Sequence, residues 1–85
     1  MVVVRLPSLL AVQAGGLGRF EVEAATVEHA LRQLPVADLL FDESGELRRL
    51  VNVYVDGKDA RELEGPNTPV ADAREIRVIA AVAGG

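Results

Sequence analysis

The apolar positions of this chain run in two different rhythms. Val2 to Leu6 is β-branched and apolar and predicts a strand, which Pro7 ends because proline cannot donate to a sheet ladder. Leu9 to Ala14 carries no decisive rhythm, and Gly15, Gly16 and Gly18 mark a hairpin loop after it. From Leu17 to Ala24 the period is two: Phe20, Val22 and Ala24 alternate with Arg19, Glu21 and Glu23, as in a strand with one wet face. The period then changes. Val27, Ala30, Leu31 and Leu34 fall at i, i+3, i+4 and i+7, one apolar stripe of a helix. Thr26 stands where an N-cap hydroxyl is wanted, and Glu28 suits the positive end of the helix dipole. Pro35 stops the helix, leaving Val36 to Leu40 for one more short turn.

Period two returns in the second half. Asp42-Glu43-Ser44-Gly45-Glu46 is a polar turn. In Leu50 to Val55, Val51, Val53 and Val55 point one way and Asn52 and Tyr54 the other. Asp56-Gly57 is a hairpin signal, because both turn positions need a positive φ. Leu63 is expected as a plug reaching the core from a loop, and Gly65, Pro66 and Pro69 make an irregular crossing. Glu75 to Val82 predicts the last strand, with Ile76, Val78 and Ala80 inward and Arg77, Ile79 and Ala81 outward. The order is strand, strand, helix, strand, hairpin or short strand, strand. A final strand lying parallel to the first needs a crossover, which the intervening segments supply. This predicts an α+β, ubiquitin-like β-grasp fold: a mixed four- to five-stranded sheet with one main helix on one face. Residues 1–80 are expected to form the domain and residues 81–85 a flexible tail.

Composition narrows the chemistry. The chain has 85 residues and no cysteine, so disulfides, thiolate metal ligands and a thiol nucleophile are excluded. His29 is the single histidine and lies off the apolar stripe, with no orienting partner or pocket in view, so a solvated side chain is expected. The acidic turn at 42–46 lacks the alternating ligand pattern of a calcium loop, and Gly15-Gly16-Leu17-Gly18 lacks the lysine and helix of a phosphate-cradling loop. No catalytic or metal-ligating set emerges. A net charge of −4 argues against a nucleic-acid partner. No apolar run is long enough to span a bilayer and the start lacks a signal-peptide pattern, so a cytoplasmic protein is expected.

What remains is the end, Val82-Ala83-Gly84-Gly85. Glycine can enter passages too narrow for other residues. A carboxylate on such a thread can be delivered into another protein's active site.

Taken together, Leu40-Phe41-Asp42-Glu43, Leu47-Arg48-Arg49, Val51-Asn52-Val53-Tyr54-Val55-Asp56-Gly57, Thr68-Pro69-Val70 and the Gly84-Gly85 end resemble the MoaD/ThiS family of ubiquitin-like sulfur-carrier proteins. The resemblance covers nearly the whole chain, and its block looks closest to the cysteine-biosynthetic and small archaeal branch. It implies that a partner activating enzyme uses ATP to adenylate the Gly85 carboxylate, and that a sulfur donor displaces AMP to leave a thiocarboxylate. It also implies delivery to a downstream sulfur-accepting synthase, in cysteine, molybdopterin, thiamine or related biosynthesis. On that scheme the chain is a carrier and not an enzyme, and binds no cofactor itself. Gly84, Ala83 and Val82 form the tail that reaches the partner. The residues before the glycines depart from ubiquitin-type tails, which carry an arginine there. Two other readings stay open: a modifier joined to lysines through Gly85, and a passive β-grasp interaction module.

Partners must also grip the domain. The sheet face away from the helix is expected to show Asn52, Tyr54, Arg77, Ile79 and Arg5, a candidate docking surface. Charges including Arg48 and Arg49 are expected to steer association.

Overall fold

The computed structural model describes residues 1–80. Five strands form one sheet: β1 (Val2–Arg5), β2 (Arg19–Val22), β3 (Val51–Val55), β4 (Lys58–Asp59) and β5 (Glu75–Ala80). Their order across the sheet is β2-β1-β5-β3-β4. β1 runs antiparallel to β2 and parallel to β5, and β3 pairs antiparallel with both β5 and β4. The expected parallel pairing of first and last strands is therefore present, and it puts β5 at the centre of the sheet.

Alternation decides which face is dry. Val2 and Val4 of β1, Ile76 and Val78 of β5, and Val51, Val53 and Val55 of β3 are buried in one cluster. Helix α2 (Val27–Arg32) closes that cluster with Val27, Ala30 and Leu31, and Leu34 follows just beyond it. Its start is capped as the sequence predicts: the Thr26 hydroxyl accepts from the His29 amide at 3.2 Å. A short helix α3 (Ala37–Leu40) follows Pro35 and buries Leu40.

Three expectations are corrected. The stretch after Pro7 is a helix, α1 (Ser8–Gln13), so the β1–β2 connection is a helical crossing and not a plain glycine hairpin. Leu10 and Ala14, four apart, enter the core while Leu9 and Val12 face out. Both faces of this helix are apolar, which erased the periodic signal. Gly15 and Gly16, with φ of 75° and 90°, then end the helix by turning left-handed, and the Gly16 amide returns to the Ala11 carbonyl. Leu63 is not a core plug, being 43% exposed. It follows a 3-10 turn (Ala60–Glu62), and Ala60 and Val70 take the interior places. The second strand is shorter than its pattern, and residues 81 and 82 of the expected last strand lie outside the described residues.

Candidate functional site

Sheet register assembles the open face. Asn52 is opposite Ile79, and Tyr54 is opposite Arg77, so the four candidate docking residues form one block on adjacent strands β3 and β5. Arg77 in turn neighbours Arg5 across the parallel pair, and Arg5 neighbours Arg19 on β2. Tyr54 and Asn52 are half-buried, while Ile79 is 43% exposed. An apolar centre of Tyr54 and Ile79 thus sits beside a row of arginines. Glu75 partly neutralises that row: its Oε2 takes Arg5 Nε at 2.7 Å and its Oε1 takes Arg77 Nε at 3.4 Å. These pairs are partly solvated and worth little in stability, so they leave the arginines able to exchange partners.

The block is held in shape by a residue that sequence reasoning missed. Arg61 reaches back from the 3-10 turn to the uncovered edge of β3. Its Nη1 donates to Asn52 Oδ1 at 2.7 Å, and its Nη2 points to the carbonyls of Val51, Arg49 and Arg48 at 2.8, 3.2 and 3.3 Å. β4 is only Lys58–Asp59, so it pairs with Tyr54 and Val55, and among the described residues the start of β3 has no strand partner on that side. The planar guanidinium substitutes for one, offering several donors in a fixed fork. The clue in the sequence is an arginine a few residues after the Asp-Gly turn; nothing in the pattern says it folds back.

Ala80, the last described residue, stands opposite Val51 at the end of central strand β5. Ala80 therefore lies beside the Asn52/Ile79 pair and the turn that precedes β3. Gly85, expected as the acyl site, and Gly84, Ala83 and Val82, expected as its tail, lie outside the described residues. His29 is exposed, with Nδ1 3.4 Å from the Ala25 amide. Among the described residues no group of three or more His, Asp or Glu side chains is placed to hold a metal ion, and no helix is long and apolar enough to cross a membrane.

Residues 9–85 match the ThiS family. The chain belongs to that family. Its whole length is also similar to the sulfur carrier protein CysO of Mycobacterium tuberculosis, 32% identical over 91 residues that cover 99% of this chain and 98% of the relative. Among solved structures, a chain of the Amycolatopsis orientalis BexX/CysO complex superposes with a TM-score of 0.83 at 29% identity, with all of both chains covered. SAMP1 of Haloferax volcanii superposes with a TM-score of 0.77 at 28% identity, over 99% of this chain and 98% of that one. For this ThiS-family chain the fold is the ubiquitin-like β-grasp expected from the strand and helix order.

Proposed function

We propose that this ThiS-family member is a sulfur carrier whose Gly85 carboxylate is the site of loading. The observation that carries the reading is the full-length likeness to named sulfur carriers, with the family match running through residue 85. In the first step a carboxylate oxygen attacks the α-phosphorus of ATP, and pyrophosphate leaves. Sulfur from a donor then attacks the acyl carbon, the bond to AMP breaks, and a thiocarboxylate remains. Each step needs the Gly85 carbonyl carbon to be unhindered, which a residue without Cβ provides. The catalytic groups belong to an activating enzyme. The open-face block of Asn52, Tyr54, Arg77 and Ile79 docks that enzyme, and the residues from Val82 onward carry the carboxylate into it.

The CysO relatives favour the cysteine-biosynthetic branch as the sulfur's destination, with a sulfur-accepting synthase as the second partner. The BexX/CysO complex, in which a carrier of this fold sits with another protein, supports hand-over between proteins. The likeness to SAMP1, named a small archaeal modifier protein, favours a second reading in which an activated Gly85 acylates lysines of other proteins. One experiment separates the two. The chain is incubated with an ATP-dependent activating enzyme of its own organism and a sulfide source, and intact masses are read. Exchange of one carboxylate oxygen for sulfur is expected of the carrier. Heavier adducts bearing the glycine remnant on lysine would transfer the assignment to the modifier, and an unchanged mass would remove both.

A further inference from the structure

A second feature adjoins Ala80, the last described residue. Leu39 of α3, Leu50, Val51 and Ala80 line a shallow apolar groove, with Arg48, Arg49 and Asp42 at its rim. Leu39 is 44% and Leu50 51% exposed, large figures for two leucines that line one groove. The rim is built, not frayed. The Arg48–Val51 turn is closed by the Val51 amide on the Arg48 carbonyl at 3.0 Å, and the Arg48 amide holds the Leu40 carbonyl at 2.8 Å. Arg61 grips three carbonyls of the same turn. Asp42 is engaged with its own loop, its Oδ1 accepting from the Ser44 and Glu46 amides. Arg48 and Arg49 make no ion pair among the described residues, although the whole chain carries a net charge of −4.

We propose that this groove is a docking site for an acidic, apolar segment, with Leu or Phe flanked by Asp or Glu, on the protein that receives the carboxyl end. The occupant follows from complementarity. The floor is apolar, the free rim charges are two adjacent arginines, and such pairs set orientation and encounter rate. The location is close in sequence to the carboxyl end: Ala80, which lines the groove, is five residues before Gly85. Arg61 is a positioning residue here, fixing the turn without touching the occupant. The identity of the receiving protein rests on the sulfur-carrier reading; the groove's preference for an acidic, apolar ligand does not.

The test uses the full-length chain labelled with nitrogen-15 and the peptide acetyl-Glu-Leu-Glu-Leu-Asp-amide. Saturable shifts of the Leu39, Arg49, Leu50 and Ala80 amides are expected, and a lysine-for-acid version of the peptide should give none. The Arg48→Glu, Arg49→Glu double variant should keep the wild-type spectrum elsewhere, because neither side chain bonds within the described fold. It should lose the peptide response and raise KM for the carrier in ATP-dependent activation by about tenfold or more, with kcat little changed. Arg61→Lys should weaken the response, and Arg61→Ala should weaken it further. No response, or an equal response to the lysine peptide, overturns the proposal. So do two other occupants: a second copy, seen as shifts that grow with protein concentration alone, or the chain's own end, seen as Overhauser contacts from the Val82 methyls to Leu39 or Leu50. A peptide response in a chain that no enzyme activates would instead sink the carrier reading and leave the groove standing.

Discussion

Two residues show how single side chains set the geometry that function needs. Asp56 adopts a positive φ of 49° and Gly57 one of 86°, the conformation of a tight primed hairpin turn. Asp56 also fastens the turn to the start of β5, its Oδ1 accepting from the Arg74 and Glu75 amides at 3.0 and 2.9 Å. Asp56→Ala removes both bonds and leaves a Cβ residue in the left-handed region. A loss of about 1–3 kcal/mol is expected in denaturant unfolding. Asp56→Asn, which keeps the acceptor and tolerates that φ, should lose clearly less. An equal loss from both would mean that charge and not geometry holds the turn. Arg61 is the corresponding residue at the other end of β3. Arg61→Ala should cost about 1–2 kcal/mol, since its bonds to Asn52 and the turn carbonyls are only partly shielded from water. Lysine, with one donor centre in place of a fork, should recover a minor part of that loss.

Among elements, legibility followed the contrast between faces. Helix α2 could be read because its apolar stripe is flanked by Glu28, His29 and Arg32, all outside the core. Leu31 is fully buried in it, so Leu31→Ala should destabilise by about 2–5 kcal/mol, a large part of the margin of so small a domain. Urea unfolding followed by circular dichroism measures it, and a loss under 1 kcal/mol would mean that α2 does not close the core. Helix α1 could not be read, because Leu9 and Val12 are apolar on the side that faces water. Leu63 was misassigned for a related reason: being apolar does not say which way a 3-10 turn will point a side chain. The strands were legible, and with them the open-face block, since alternation alone puts Asn52 and Tyr54 on one face and Arg77 and Ile79 on the matching one. The bond from Arg61 to Asn52 was not, because it spans nine residues across a turn that no local pattern specifies. The block leads to its own test. Tyr54→Ala with Ile79→Ala should raise KM for activation by about tenfold or more while shifting stability modestly, because both side chains lie outside the core. A drop in kcat at constant KM would place these residues in the chemistry and not in docking.

At the scale of the molecule, the fold separates stability from chemistry. Among the described residues the buried apolar side chains fall between Val2 and Val78. The strand that ends at Ala80 is the central one, braced on one side by β1 and on the other by β3. β5 is therefore held by β1 along Glu75–Arg77 and by β3 out to Ala80, which fixes the place of the last described residue. Gly85 has no side chain to bury, so its removal is expected to leave that core intact. The variant lacking Gly85 is expected to unfold within about 0.5 kcal/mol of the full chain. It should nevertheless lose ATP-dependent conversion, because its terminal carboxylate is one residue short of the nucleotide even when the open face docks normally. Adding the missing glycine back after an inserted alanine, so that the chain ends Gly84-Ala-Gly, tests reach separately from identity. That chain has a glycine carboxylate at the wrong distance and should also be converted poorly. If either variant were converted at the full rate, position and residue at the terminus would be irrelevant, and the loading site would have to be sought on the body.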